Sequence, residues 1–256
     1  MKNLLLFGLL VMFLIAAQFA SGQSVDDIIQ KYVDARGGKD KLDSIKSIYM
    51  EGAREMMGNE VTVKVTKVKD KLSRTEFEMG ATSGFTLITD KEAWRFIPMR
   101  SQSPEKLSDE EAASMQTDMD IEGPLVNYIA KGHKVELIGK DTLDGNENYK
   151  IKLTTKEGNE IMYWIDAKTY LVTQTSQKGG GMFGGGRRNG DNNGNAPKTP
   201  GDLITMYKDY SAVDGIQFAH TVDVKMSNGN GHGGGGTTFD KIELNGPVDP
   251  KLYKPE

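Results

Sequence analysis

Apolar residues change their period along the chain, and each change predicts an element. From Ser24, Val25, Ile28, Ile29, Tyr32 and Val33 fall at i, i+3, i+4, i+7 and i+8. That spacing places them in one stripe on a helix. Ser24 and Asp27 stand near capping-box spacing, and Gly37-Gly38 end the stripe. A short second helix is expected over "KDKLDSIK". The period then becomes two. Val61, Val63 and Val65 face one way in "EVTVKVTKV" while Thr62, Lys64 and Thr66 face the other. "KLSRTEFEM", "GFTLIT" and "EAWRFIP" continue the alternation between polar turns, so 46–98 reads as an antiparallel meander.

The alternation stops in "SPEKLSDEEAASMQTDMDIEGPLVNYIAKG". Ser108 and Glu111 have capping-box spacing, and Pro124 suits a helix first turn. Two helices are expected, about 108–118 and 123–131, with a break near Gly123. Strands resume at His133 and run to "TTFDKIELN", with Asp144-Gly145, Glu157-Gly158 and Asp214-Gly215 as hairpin signals. The pattern predicts a mainly β (α+β) fold of about a dozen antiparallel strands, with an N-terminal helix and a mid-chain helical insert. "IMYWI", Ile161–Ile165, is apolar on both faces, whereas an ordinary meander strand is wet on one. Something must cover its second face, and the helices are the evident candidates.

The first 22 residues stand apart. Lys2 precedes an apolar run from Leu4 to Ala17. As a helix those residues reach about 21 Å, short of a ~30 Å hydrocarbon core. Ala20 and Gly22 have the small-residue spacing of a processing site, so 1–22 is expected to be a signal peptide cleaved after Gly22. The mature part, 23–256, is then a single domain, exported to the periplasm and not lipid-anchored. There is no cysteine, which excludes disulfides and a lipid-modified cysteine. The formal net charge is −4, and losing Lys2 makes it −5. An acidic chain is a poor general binder of nucleic acid, so none is expected as partner.

Two segments are rich in glycine, 178–202 and 227–236. Gly181 and Gly186 have the glycine spacing of a phosphate loop, but Arg187-Arg188 follow and no helix can. Asp191, Asn193, Asn195 and Asp202 resemble a calcium loop, but Ala196 stands where the turn needs glycine. A flexible connection is the better account, with Met182-Phe183 beside Arg187-Arg188 open as a membrane-touching tip. His220 falls on the apolar face of its strand, which favours a hydrogen-bonded core histidine over a base. No serine elbow, metal motif or cofactor motif is present. No catalytic residue, metal or cofactor is therefore expected.

What remains is apolar. Methionine is flexible and polarisable, and suits surfaces that accept varied apolar partners. Phe77, Phe85, Leu87, Trp94, Phe96, Met162 and Trp164 on the strands, with Met115 and Met119 on the insert, are the candidate lining of an apolar ligand cavity.

At this point a resemblance bears on function. "IIQKYVDARGGKDKLDSIKSIYMEG", the stretch from "GPLVNYIAKGHKVELIG" through "YWIDAKTYLVTQT", "MYKDYSAVDGIQFAHTVDVKM" and "TTFDKIELNGPVDPKLY" resemble outer-membrane lipoprotein-sorting proteins, the Lol carriers, most of all those of Bacteroidetes-type bacteria. The resemblance spans most of the mature chain in order. It implies an antiparallel half-barrel covered by helices, with a cavity for acyl chains of lipids or lipoproteins. It also implies a soluble, monomeric periplasmic carrier with no chemical step, moving its cargo toward the outer membrane. Transient contact with a membrane or an envelope protein stays open. So does the alternative of an envelope sensor or protein-interaction module without lipid transfer. The arginine that holds the lid in such carriers has no unique match here: Arg54, Arg74 and Arg95 all qualify.

Overall fold

A computed structural model describes residues 23–56, 58–178, 201–227 and 236–256. The expected signal peptide and most of both glycine-rich segments lie outside the described residues. After helices α1 (Val25–Ala35) and α2 (Lys39–Asp43) come β1 (Ser47–Met56), β2 (Asn59–Val68), β3 (Leu72–Met79), β4 (Thr82–Thr89), β5 (Ala93–Phe96) and β6 (Glu105–Lys106). The insert follows, with α3 (Asp109–Ser114) and a 3-10 turn at Gln116–Met119. The remaining strands are β7 (Lys134–Leu143), β8 (Asn146–Thr154), β9 (Glu160–Asp166), β10 (Val172–Lys178), β11 (Asp202–Val213), β12 (Ile216–Met226) and β13 (Thr237–Leu244).

These strands form one open antiparallel sheet, ordered β6-β5-β4-β3-β2-β1-β13-β12-β11-β10-β9-β8-β7. The order is two meanders joined where β13 returns to β1. Both glycine-rich segments connect strands that are neighbours: Lys178 pairs with Asp202, and Val222 with Thr237.

α1 forms as its stripe predicts. Ser24 and Asp27 close a capping box, and Ile28, Ile29, Tyr32 and Val33 are buried. They pack on the inward residues of the second meander, Tyr149, Ile151, Leu153, Ile161, Tyr163 and Ile165. Ile121, Leu125 and Val126 complete this core from the insert.

The insert differs from its expected form. The first helix keeps its capping box, Ser108 with Glu111, but tightens to 3-10 geometry after Ser114. The second helix, 123–131, is a series of turns. Gly123 has φ 91°, Asn127 φ 55° and Gly132 φ 76°. A left-handed residue in mid-segment interrupts the helical bond ladder, so only isolated bonds survive, such as Lys131 N–H to Asn127 O at 3.1 Å.

The covering of β9 also differs. Helices cover only the face of Ile161, Tyr163 and Ile165. Trp164 lies on the opposite face with Lys150, its register partner on β8. There its indole N–H donates to Asp141 at 2.9 Å, and the Lys150 ammonium sits 4.9 Å from the ring centroid. An amphipathic ring can be covered in this way by long polar side chains.

Candidate functional site: the concave face of the first meander

The register places Phe77, Val63 and Gly52 in one row on β3, β2 and β1, continued by Phe239 on β13. On β12, Val222 pairs with Thr237 on one side and Tyr207 on the other, extending the same face to β11. Val61, Val63 and Phe239 are buried, while Met50, Met56, Val65, Phe77, Met79, Val222 and Ile242 pack around them only half-buried. The result is an apolar strip, rich in methionine, on the inward face of the sheet beside the filled core.

Two glycines make the strip possible. A Cβ at Gly84 would meet the Phe77 ring at 2.2 Å and Phe96 O at 2.5 Å, so the absent side chain is what lets the ring lie down across β4. A Cβ at Gly52 would meet Thr238 O at 2.0 Å, where β1 and β13 pair through a bulge.

The insert covers one end. Leu107, Ala112, Met115 and Met119 are buried against Ile88 and Ala93 at the edge of the same inward face. Arg95, the register partner of Thr86, faces the insert there and is electrostatically coupled to Glu111. Burial lowers the Arg95 pKa from its ordinary value, and the charge of Glu111 opposes that shift. The far end of the insert is anchored. Glu122 is buried and pairs with Lys69 and, at 3.6 Å, with Lys131. Lys131 also binds Asp120 at 2.7 Å and Gly123 O at 3.1 Å.

Asp118 stands on the 3-10 turn of the insert. Its side chain is exposed, although the fold crowds around it. That crowding pushes its carboxyl up from the ordinary value, and Lys67 opposes that shift. Tyr207 on β11 is half-buried on the same face as Val222, its register partner.

The nine residues expected to line a cavity do not converge. Phe77 lies on the strip. Met115 and Met119 lie at its covered end. Phe85, Leu87, Trp94 and Phe96 lie on the opposite face, where the register keeps them in step with Leu72 and Arg74. That face is covered by Val248 and Leu252 of the C-terminal segment. Arg74, buried and 4.2 Å from the Phe85 ring centroid, donates to Leu252 O, Lys254 O and Glu256 O at 3.3, 2.8 and 3.3 Å. Met162 lies on the outward face of β9 with Trp164. Of the three arginines considered for a lid, Arg95 faces the insert and Arg74 fastens the C-terminal segment. Arg54 stands on β1 opposite Val61.

The sequence did not bring forward Gly52, Gly84, Asp118, Tyr207 or Arg36. One signal was present. Arg36 follows Tyr32 by four residues, so it continues the buried stripe of α1.

The histidines act as ties. His220 Nδ1 is 2.8 Å from Phe239 O and must donate to that carbonyl, so Nε2 accepts from Ser211 at 2.8 Å. The group links β11, β12 and β13. His133 Nδ1 accepts from Lys156 N–H at 3.1 Å. Among the described residues no cluster of three or more His, Cys, Asp or Glu could hold a metal.

With this geometry in place, comparison with known proteins is informative. No family model matches the chain, and no curated protein matches it. Solved structures do. A DUF1329 family protein from Desulfovibrio piger aligns with TM-score 0.55 and 12% identity over 91% of this chain and 98% of its own. A LolA superfamily protein from Nitrosomonas europaea aligns with TM-score 0.54 and 13% identity over 91% and 99%. The chain has the fold of the LolA superfamily. A putative outer membrane lipoprotein-sorting protein domain from Vibrio parahaemolyticus agrees, at TM-score 0.50 and 11% identity over 89% and 94%. At these identities the likeness is one of fold. The LolA-like half-barrel leaves the sheet open, and the strip lies on its inner face. Among the described residues no helix is long and apolar enough to cross a membrane.

Proposed function

We propose that the protein carries acyl chains of lipids or lipoproteins along this strip, in the periplasm and toward the outer membrane, without a chemical step. One observation carries the reading: five apolar side chains on the inward face of the first meander, continued by Val222 and Ile242 on β12 and β13, are only half-buried, beside the filled inward face of the rest of the second meander. The names of the Nitrosomonas and Vibrio neighbours support it by analogy of fold.

The physics favours such a device. Each CH₂ exposed to water costs about 0.8 kcal/mol, so a chain of roughly 14–16 carbons costs about 10 kcal/mol to expose. A sheltered strip removes most of that barrier to crossing an aqueous compartment. Release then needs an opening step. The anchoring of residues 121–126 in the filled core narrows the movable part of the insert to its first portion, α3 and the 3-10 turn, with Arg95 and Glu111 at the seam. Mass spectrometry of solvent extracts from the protein purified out of a native envelope fraction tests this. Acyl lipid at near-stoichiometric amount is expected, and its transfer between vesicles by the purified protein. Extracts without acyl lipid, together with no transfer, would refute the proposal.

A further inference from the structure

Arg36 closes α1, half-buried, with its guanidinium turned toward the sheet. Nε donates to Gln217 O at 3.1 Å, and Nη1 donates to the Tyr32 hydroxyl at 2.8 Å and to Glu122 O at 3.4 Å. Its plane rests 5.8 Å from the Tyr32 ring centroid and 5.7 Å from that of Phe218. Every one of these partners is neutral. Among the described residues no carboxylate pairs with Arg36. Glu122 offers it only a main-chain carbonyl, because its side chain is taken by Lys69 and Lys131. Nor does Nη2, with two N–H groups, have an acceptor among the described residues.

A half-buried cation with only neutral partners leaves room for something else to supply the charge. The surroundings suggest what. Phe218, whose ring the guanidinium meets, lies on the same face of β12 as Val222, four residues further on. Tyr207 pairs with Val222, the last apolar residue of the strip, and its hydroxyl lies 3.4 Å from Thr175 Oγ1. From Phe77 on β3 to Tyr207 on β11 the strip crosses five strand spacings, about 24 Å along the sheet. One end of the apolar track thus shares a face of β12 with the ring that carries a guanidinium with an open edge.

We propose that Arg36 is a headgroup site: it holds the terminal oxyanion, carboxylate or phosphate, of a ligand whose chain lies along the strip. A guanidinium edge matches both anions with two parallel N–H bonds. The inference rests on the acyl-chain reading of the strip and narrows it. The favoured ligand is a chain with a free anionic end, such as a fatty acid or a lipid phosphate, over an acylated peptide whose lipid end is neutral.

The test is displacement of a neutral fluorescent lipid probe at neutral pH by palmitate, hexadecyl phosphate and hexadecanol, with acetate and inorganic phosphate as chain-free arms. The two anionic chains are expected to bind about tenfold or more tighter than the alcohol, the factor a charge-assisted hydrogen bond supplies. The chain-free anions should not displace the probe. Arg36→Gln should level the three chains. Where that variant does not fold, Arg36→Lys, which keeps the charge and loses the fork, should retain only part of the preference. Equal binding of alcohol and acid by the wild type would overturn the headgroup site while leaving the carrier reading intact. An undiminished preference in folded Arg36→Gln would overturn the assignment to Arg36. Displacement by inorganic phosphate alone would overturn a lipid headgroup as the source of the anion. Failure of all three chains to bind would remove the carrier reading, and this inference with it.

Discussion

The two meanders of this sheet use the same alternation of apolar and polar residues and end in different states. On the second, α1 and residues 121–126 press into the inward face and build a core of nineteen buried side chains. On the first, the strip holds Val61 and Val63 buried with five half-buried side chains around them, continuing onto Phe239, Ile242 and Val222 of β13 and β12, and the insert covers one end only. The first meander is stabilised from its other side. There the C-terminal segment lies over Leu72, Phe85 and Leu87, held by Arg74. An inward face can stay open when the outward face is sealed. The lesson is that stability and function are placed on opposite sides of the same strands.

Substitutions that shorten buried side chains separate the two halves most strongly. Ile151→Ala in the filled half should cost about 2–5 kcal/mol in urea unfolding. Phe77→Ala on the strip should cost less than half of that, and equal losses would break the distinction. Gly84→Val comes next. Its branched side chain would strike the Phe77 ring and the Phe96 carbonyl, for a loss of about 1–3 kcal/mol by overpacking. Calorimetry should show a lowered Tm, and an unchanged Tm would mean that the ring is free to leave.

Arg74→Met tests the seal on the outward face. Losing charged hydrogen bonds to three carbonyls should cost about 1.5 kcal/mol, the lower end for a bond to a charged group, because methionine still covers Phe85. Limited proteolysis should then trim the chain after Leu244 faster than in the wild type. The smallest effect lies on the insert. The Asp118 carboxyl is raised in the folded state, so ionising it disfavours folding as pH rises from the unfolded value through the folded one. Asp118→Asn should therefore match the wild type in stability at pH values below the unfolded carboxylate range and exceed it at neutral pH. A gain that is largest at low pH would contradict a crowded carboxylate.

Much of the fold was legible because its local signals agree. The stripe and capping box of α1, the valine alternation of β2 and the hairpin turns all point the same way. The site was harder to see, for a physical reason. Alternation assigns residues to faces but does not say which face is inward. On β4 every residue from Gly84 to Thr89 is buried, because the insert covers one face and the C-terminal segment the other. Phe85 and Leu87 therefore looked like cavity residues when they belong to the sealed side. The failed helix at 123–131 has a similar origin. Pro124 offers a start, but Asn127 adopts a left-handed conformation as Leu125 and Val126 dock into the core. Arg36 was hidden by its type. An arginine on a buried stripe reads as a helix end, and only its neutral surroundings in three dimensions mark it as unpaired.

The central claim is that the inward face of the first meander is open to an acyl chain. Val65, half-buried on the strip, tests it most directly through Val65→Trp, with urea stability and binding of a fluorescent fatty acid measured on the same samples. If the strip is open, the larger side chain occupies it: stability stays within about 1 kcal/mol of wild type, below the usual overpacking cost, and binding is lost. A wild type that fails to bind the fatty acid, or a variant that binds it unchanged, would contradict the account.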